Sequence, residues 1–276
     1  MLCCSTRFHE IVEDWVITQV PLKMKLDHLV FACSDLKQAD EYCIRHFKVR
    51  PVAGGKHLFM GTHNSLLKLS HTVLDLLYIE FIAIDPSSTF ASMPEKRRRW
   101  FDLDDENLQK DLQKLGPKLI HYVVSVDDEA KDLSSLKLEL EQDLGVDSLG
   151  DILQGSRKSP TNEMLTWSIV VRNDGSLMHE GKFPTLISWR QKSQATISAP
   201  HPAQSLPDVG LRLDYFQVMD PFLRSIFDSS HRLVSGVEFV SYGDRLSSLS
   251  HEAIPRFRLR VILEDFDDAR ACDIEQ

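Results

Sequence analysis

Two stretches of the chain, "KLDHLVFACSDL" at 25–36 and "KLIHYVVSVDDE" at 118–129, share one pattern that decides the fold. Each is a short apolar run, typical of a buried strand, followed by polar residues that can cap a helix. Each also places one histidine at the same position of the run. Aligned without a gap, the two stretches match at Leu26 and Leu119, His28 and His121, Val30 and Val123, and Asp35 and Asp128. The matches indicate an internal repeat.

The order of predicted elements is the same after both stretches. In the first copy a strand at 26–33 and a helix at 36–47 precede a turn-rich connection, "RPVAGGKH", and strands at 64–70 and 75–84. In the second copy a strand at 119–126 and a helix at 127–145, with an acidic N-terminal cap, precede strands at 148–154, 164–172 and 184–190. Residues 86–117 form an insertion between the copies, with a helix at 104–115.

The C-terminal part begins a shorter third unit. The polar, proline-rich stretch 191–208 is typical of a linker, and a strand at 209–218 and a helix at 220–230 follow it. Further strands are predicted in "VSGVEFVSY" and "RFRLRVILE", and the last dozen residues are typical of an acidic tail. The predicted organisation is an extension at 1–24, a first module at 25–117, a second module with its linker at 118–208, and a partial third unit with the tail at 209–276.

Composition narrows the function classes. The formal net charge is −9, so neither nucleic acid nor an anionic membrane is an expected partner, and "EKRRRW" at 95–100 is the one basic run. No apolar stretch approaches the roughly 20 residues that span a bilayer. Five cysteines occur without a CxxC pair, and the N-terminus shows no secretory or transit pattern. The sequence therefore predicts a reducing, cytoplasmic compartment and leaves the oligomeric state open.

Three residues of the predicted strands could hold a metal ion. Because side chains alternate along a strand, Leu26 and Val30 share a face with His28. Glu80 lies inside the otherwise apolar strand "DLLYIEFIA". A buried carboxylate needs a partner or a cation. His28, His121 and Glu80 are thus predicted ligands of a divalent ion, with Fe, Mn, Zn, Ni and Mg all open. The alternative is that both histidines are hydrogen-bonded core residues.

Several stretches, in this order, resemble the glyoxalase-like branch of the vicinal oxygen chelate superfamily, which includes glyoxalases, bleomycin resistance proteins and dioxygenases. They are "LDHLVFACSDL", "GGKHLFMGTHNSLLKL", "YIEFIAIDP", "RRRWFDLD", "GSRKSPTNEMLTWSIVV", "FPTLISW" and "PHPAQSLPDVGLRL". The resemblance implies an α+β fold in which paired βαβββ modules form a cupped mixed β-sheet around a ligand site. It covers roughly residues 25–215 and fits the partial third unit only loosely.

The resemblance also implies where metal ligands would lie. In metal-dependent members they come from the first and last strands of each module, so His28 and His121 occupy the two first-strand positions and Glu80 a last-strand position. The last strand of the second module, "FPTLISWR", offers no carboxylate, imidazole or thiol. This departure leaves a site of three residues completed by water and substrate, or no metal site. It also argues against transferring glyoxalase I activity.

Other side chains in the resembling stretches are secondary candidates. His63 and Asn64 could hydrogen-bond a substrate oxygen, or His63 could act as an acid/base residue. Alternatively, both residues belong to a turn. Arg157 could hold a substrate carboxylate or form a surface ion pair. His57 is expected at the surface. Trp167 and Trp189 fall on predicted strands, as core residues or as pocket walls that bind substrate.

Three functions remain open on this sequence, and one of them is a structural or interaction role in which side chains fill the pocket. The other two involve a small molecule. The first is a metalloenzyme that acts on a small oxygen-rich molecule, with isomerase, lyase and dioxygenase chemistry unresolved. The second is a metal-free protein of the same fold that binds and sequesters a small molecule. Serine-hydrolase, P-loop, dinucleotide-binding and HExxH metalloprotease motifs are absent from the sequence.

Overall fold

The computed structural model describes residues 22–92, 97–126, 132–159, 162–189, 200–227, 232–240, 256–263 and 271–276. Several sequence predictions therefore fall outside the described residues. They are most of the extension at 1–24, the match at Asp128 with the start of the acidic helix cap, and the first half of the linker at 191–208.

The first module has the predicted order with one added strand. Its elements are β1 (Leu22–Ala32), α1 (Leu36–Phe47), β2 (Val52–His57), β3 (Thr62–Leu69) and β4 (Leu77–Ile84). Helix α1 begins where the sequence predicts, because the Asp35 carboxylate accepts a hydrogen bond from the Gln38 backbone N–H (2.9 Å). The prediction of a turn-rich connection at "RPVAGGKH" was wrong, because β2 pairs with β3 along this stretch.

The insertion and the second module follow. The insertion contains α2 (Glu106–Leu115), and the module consists of β5 (Lys118–Val126), α3 (Leu133–Leu144), β6 (Asp151–Lys158), β7 (Met164–Val171) and β8 (Thr185–Ser188). The Asp132 carboxylate caps α3 by accepting from the Ser135 N–H (2.8 Å). The second strand of the module begins later than the predicted 148–154. Both modules are therefore βαβββ units.

The C-terminal part comprises α4 (Pro202–Ser205), β9 (Leu211–Met219), α5 (Pro221–Phe227), β10 (Arg232–Ser235), β11 (Glu238–Val240), β12 (Phe257–Leu263) and β13 (Ala271–Glu275). It contributes β10 to the large sheet of the two modules beside β1, and its other four described strands form a separate small sheet in the order β11-β9-β12-β13. Strand β9 and helix α5 lie where the sequence predicts a strand at 209–218 and a helix at 220–230. The prediction of a tail over the last dozen residues was wrong for 271–275, because β13 pairs with β12. No helix within the described ranges is long and apolar enough to cross a membrane.

The two modules share one curved mixed sheet. Within the described residues its strand order is β2-β3-β4-β1-β5-β8-β7-β6, and β10 pairs beside β1. Arg157 of β6 donates a hydrogen bond to the Gly54 carbonyl of β2 (3.0 Å), so the two outer strands of this order meet. The outer face packs on the helices, and the inner face forms the wall of a cup. The predicted fold of paired βαβββ modules is confirmed.

The ladder between β1 and β5 follows the internal repeat. His28 lies opposite Val123, and Val30 lies opposite His121, so the pairing is symmetric when each residue is exchanged for its repeat match. The register shifts once at each end and leaves Asp27 and Ile120, which are also repeat equivalents, unpaired in the ladder. These two β-bulges re-aim the flanking side chains.

The bulge at Asp27 corrects one prediction. Leu26 does not share the face of His28 but packs with Leu29 and Phe31 in the core under α1. Val30, in contrast, belongs to the inner core with Val123. Because the bulge shifts the alternation by one residue, Asp27 and His28 can both reach the inner side of the sheet.

Candidate functional site

A pocket with about 360 Å³ of empty space, its open mouth included, lies on the inner face of the sheet and is lined by both modules. We call it the inner pocket. Charged, imidazole and amide groups lie beside aromatic and aliphatic walls, an arrangement typical of small-molecule sites. Its lining residues are His28, His57, Asn64, Tyr78, Glu80, Trp100, Phe101, Arg157, Trp167, Ile169, Ile187 and Trp189.

Asp27 orients His28 at this pocket. The His28 Nδ1–H donates to Asp27 Oδ1 (2.7 Å), and the ring stacks on Tyr78 with a centroid separation of 4.6 Å. Burial alone would raise the pKa of Asp27, but the charges and hydrogen bonds of His201 and His28 hold it well below its usual range. Since the ionised carboxylate can only accept, the proton of neutral His28 is on Nδ1, and Nε2 is free on the other side of the ring.

Glu80 faces the free nitrogen of His28. Glu80 Oε2 lies 3.6 Å from His28 Nε2, and Oε1 accepts a hydrogen bond from the Asn64 amide (2.6 Å). The residue is only 5% exposed, so water contributes little to the solvation of its carboxylate. The structure therefore brings together His28, Glu80 and Asn64, three of the residues selected from the sequence.

His57 is the clearest correction to the sequence-based expectations. It was expected at the surface, but it lies buried on β2, where Nδ1 contacts the Thr62 hydroxyl (3.0 Å) and Nε2 lies 4.0 Å from Glu80 Oε1. Burial lowers its pKa to about 3, and the neighbouring charge of Arg157 acts in the same direction. His57 is therefore a neutral imidazole at neutral pH.

The structure does not bring His121 to the inner pocket. Its Nδ1 donates to the Gly181 carbonyl (2.8 Å), and Nε2 accepts from the Thr185 backbone N–H (3.1 Å). Burial lowers its pKa to about 3, although the Gly181 bond acts in the opposite direction. With both nitrogens engaged inside its own module, His121 is a hydrogen-bonded core residue, the alternative considered from the sequence.

The ladders explain why the second module differs. Glu80 lies opposite Val30 between β4 and β1, whereas Thr185 lies opposite Val123 between β8 and β5. Because Val30 and Val123 are repeat equivalents, Thr185 occupies the position of Glu80 in the second module. The histidine there bonds a hydroxyl-bearing residue instead of facing a carboxylate.

His63 also lies away from the pocket. It precedes Asn64 on β3, and neighbouring residues of a strand point to opposite faces. Asn64 lines the inner pocket, so His63 is on the outer side of the sheet. The position of His63 does not support the predicted acid/base role.

Arg157 provides a positive charge in the inner pocket. It is 8% exposed, its Nη1 donates to the Gly54 and Lys158 carbonyls, and among the described residues it has no carboxylate within 4.0 Å. Burial lowers the pKa of its guanidinium, while the proximity of Tyr78 and Glu80 acts in the opposite direction. Arg157 is thus available to an anionic group of a ligand.

Tryptophans form the apolar walls. Trp167 and Trp189 pack with ring centroids 5.7 Å apart, and Trp100 approaches the ring of His57 at 5.0 Å. Gly155 leaves room for Trp167, because a Cβ there would lie 2.3 Å from the indole. The Trp100 Nε1–H is buried without a hydrogen-bond partner within the described structure. An unpaired buried donor at a pocket wall indicates a place for a ligand oxygen.

Sequence reasoning missed three groups that complete the site. Asp27 stands inside the quoted motif "LDHLV", but only the bulge brings it to His28. His201 stands inside "PHPAQ" and reaches Asp27 Oδ2 (3.2 Å) from beyond the second module. Trp100 comes from "RRRWFDLD" in the insertion. The motifs contained the signal, and the tertiary contacts assign the roles.

Comparison with known proteins gives a family and a set of structural neighbours. A family model described as "Glyoxalase-like domain" matches residues 26–226. No curated protein matches the sequence. A solved structure of a hypothetical protein from Staphylococcus aureus is similar over 91% of this chain and 86% of its own, with 14% identity and a TM-score of 0.49.

Two methylmalonyl-CoA epimerases are also similar in structure. The protein from Mycobacterium tuberculosis is 19% identical over 62% of this chain and 91% of its own, with a TM-score of 0.32. The protein from Streptomyces coelicolor is 15% identical over 59% of this chain and 92% of its own, with a TM-score of 0.35.

Proposed function

This chain belongs to the glyoxalase-like domain family of the vicinal oxygen chelate superfamily, and from that premise we propose that it is an enzyme. Its substrate is a small anionic, oxygen-rich molecule with a C–H bond next to a carbonyl group. The reaction is an isomerisation that moves the proton of that bond. The observation that carries the proposal is the pair of Glu80 and His28, whose Oε2 and Nε2 atoms lie 3.6 Å apart at the inner pocket.

The proton transfer uses Glu80 as the base. The C–H bond breaks, its proton goes to Glu80, and its electron pair moves to the carbonyl oxygen to give an enolate. The proton then returns to carbon from Glu80 directly, or from His28 after Glu80 has passed it to the unprotonated Nε2, which Asp27 holds toward the pocket. The Asn64 amide fixes the Glu80 carboxylate through Oε1 and leaves Oε2 toward His28. General acid–base groups held in this way are typical of proton-transfer sites.

The remaining pocket groups bind the substrate and stabilise the enolate. Arg157 holds the anionic group of the substrate, since its guanidinium has no carboxylate partner among the described residues. The unpartnered Trp100 Nε1–H is a donor for the enolate oxygen. Trp167 and Trp189 pack against the substrate body and exclude water from it.

A divalent ion, whether Fe, Mn, Zn, Ni or Mg, was the predicted cofactor on His28, Glu80 and His121. The residues present do not fit it. Both nitrogens of His121 are hydrogen-bonded in its own module, and no group of three or more His, Cys, Asp or Glu side chains suited to a metal occurs in the described parts of the chain. No step of the proposed reaction is therefore routed through a metal.

Whether the native protein binds a metal ion can be measured directly. We expect the melting temperature of the purified protein to stay unchanged after dialysis against a chelator, because a ligand that binds only the native state would stabilise it by mass action and its removal would lower stability. Elemental analysis of protein purified without chelator is the companion measurement. A chelator-sensitive melting temperature in the wild type that is lost in His28→Ala would restore the metal-dependent reading.

The activity itself is tested by proton exchange. The protein is incubated in D₂O with a panel of short alpha-keto and beta-keto acids, and deuterium entry next to the carbonyl is followed by NMR. We expect catalysed exchange above the spontaneous rate for at least one acid. Quenching of tryptophan fluorescence by a panel acid without exchange would favour the sequestration function, because three tryptophans line the inner pocket. If neither exchange nor quenching is observed with any acid of the panel, the proposed substrate class is rejected.

We place this activity in a reducing, cytoplasmic compartment, as the cysteine pattern predicts. Cys33 and Cys43 are free, buried thiols. Burial raises the pKa of both thiols well above the usual range, so neither supplies a thiolate at neutral pH. Both cysteines are core residues rather than parts of the site.

A further inference from the structure

The Asp27 carboxylate connects the inner pocket with a segment that follows the second module. Its Oδ1 accepts from His28, while its Oδ2 accepts from Trp189 Nε1 (2.8 Å) and contacts His201 Nε2 (3.2 Å). All four side chains are buried. The orientation of His28 therefore depends on groups that do not line the pocket, and His201 is one of them.

His201 is held in place by its own backbone surroundings. Its Nδ1 accepts a hydrogen bond from the Ala203 N–H (3.2 Å) as the N-cap of α4, and the Gln204 side chain accepts from the His201 N–H (2.9 Å). Because Nδ1 is an acceptor there, Nε2 carries the hydrogen and donates it to Asp27. The cap thus fixes both the position and the tautomer of His201.

We propose that His201 is a positioning residue for His28, acting through Asp27. It donates to one carboxylate oxygen, so the other stays aimed at His28 Nδ1 and holds Nε2 toward Glu80. The inference rests on the proposed function for its effect on rate, but the effect on the His28 tautomer stands apart from any activity. Nothing in the reaction itself touches His201.

Two observations support this role. The hydrogen bond from His201 is one of the influences that hold the pKa of Asp27 below its usual range against the effect of burial. In the second module Ile120 stands at the position of Asp27, and His121 bonds backbone groups instead of a carboxylate. Of the two repeat-equivalent histidines, only His28 therefore has a carboxylate partner, Asp27, and His201 contacts that carboxylate from a segment that follows the second module.

The test compares two substitutions of similar chemistry in the full chain. In His201→Asn the shorter side chain keeps an N-cap acceptor for α4 but cannot reach Asp27. In His201→Gln the longer amide keeps a donor toward Asp27. Asp27→Asn is the positive control for loss of orientation, and His46→Asn, an exposed histidine on α1, is the matched control for losing an imidazole.

The first readout is the His28 tautomer from ¹⁵N NMR, assigned by comparison with His28→Gln. We expect Nδ1–H in the wild type, in His201→Gln and in His46→Asn, and a mixed or Nε2–H tautomer in His201→Asn. The second is the exchange rate: kcat falls about tenfold to a hundredfold in His201→Asn while KM stays within about twofold, as for other groups that orient a histidine.

The His28 tautomer decides whether His201 has the positioning role. An unaltered His28 tautomer in folded His201→Asn overturns the positioning role, whatever the activity. If His201→Asn does not fold, His201→Ser takes its place, because serine also keeps an N-cap acceptor for α4 and cannot reach Asp27. An unaltered His28 tautomer in His201→Ser overturns the positioning role as well. A changed tautomer without measurable exchange in the wild type supports the positioning role and rejects the proposed reaction.

Discussion

Replacing Glu80 by glutamine should lower the rate of proton exchange by about a thousandfold, within the usual contribution of a general base. Glutamine keeps the shape of the side chain, and its carbonyl oxygen can still accept the 2.6 Å hydrogen bond from Asn64. The amide has no basic oxygen for the substrate proton. The loss is therefore expected in kcat, with KM changed little, because Arg157 and the tryptophans that bind the substrate remain.

The matched control is Glu141→Gln. Glu141 is also a buried glutamate, 8% exposed, but it lies on α3 and accepts from Lys137 and the Leu149 backbone N–H far from the inner pocket. That substitution is expected to lower stability and leave kcat unchanged. Exchange in Glu80→Gln at more than about a tenth of the wild-type rate contradicts a general base at this position, and the carboxylate would then be a structural partner of Asn64 and His28.

The core of the site was predictable from the sequence because the first module follows simple strand periodicity. His28 and Glu80 are polar residues inside apolar strands, and alternation places both on the inner face. Arg157, Trp167 and Trp189 came from stretches that resemble a known family. All five line the inner pocket. Periodicity and motif order were sufficient wherever the strands are regular.

The remaining contacts depend on irregular structure. Alternation assigns Asp27 to the face opposite His28, and only the bulge brings the two side chains together. The glycine-rich stretch before His57 suggested a turn, although it pairs as a strand with β3. The partner of His121 was also hidden, since the role of Thr185 follows from the β5–β8 register. Register and bulges are tertiary properties that a single sequence specifies weakly.

The stability of the protein should fall steeply between pH 6.5 and pH 3. His57 and His121 are buried, and burial lowers the pKa of each to about 3. In the unfolded chain an imidazole takes up its proton near pH 6.5. Across this window the unfolded state binds a proton that the native state does not, so the free energy of unfolding decreases as pH falls, by at most about 1.4 kcal/mol per pH unit for each histidine. Above pH 6.5 neither group contributes.

His121→Gln isolates one of these two contributions. The glutamine amide can donate to the Gly181 carbonyl and accept from the Thr185 N–H, but it cannot titrate. We expect urea unfolding curves between pH 7.5 and pH 4 to show a slope smaller by up to about 1.4 kcal/mol per pH unit than in the wild type. His179→Asn, at an exposed position with a left-handed backbone, is the control for losing a surface histidine. A slope equal to that of the wild type would mean that His121 carries its proton in the native state.

The same variant separates the two interpretations of His121. As a hydrogen-bonded core residue, it contributes to stability through Gly181 and Thr185, so the difference in unfolding free energy between wild type and His121→Gln is the same with and without chelator. As a metal ligand, it would contribute by mass action, and chelator would remove the difference. Because both nitrogens are engaged by its own module, with Nδ1 2.8 Å from the Gly181 oxygen and Nε2 3.1 Å from the Thr185 nitrogen, we expect the first result. The chemistry would then reside in the first module, and the second would supply walls, Arg157 and the indole of Trp189 that supports Asp27.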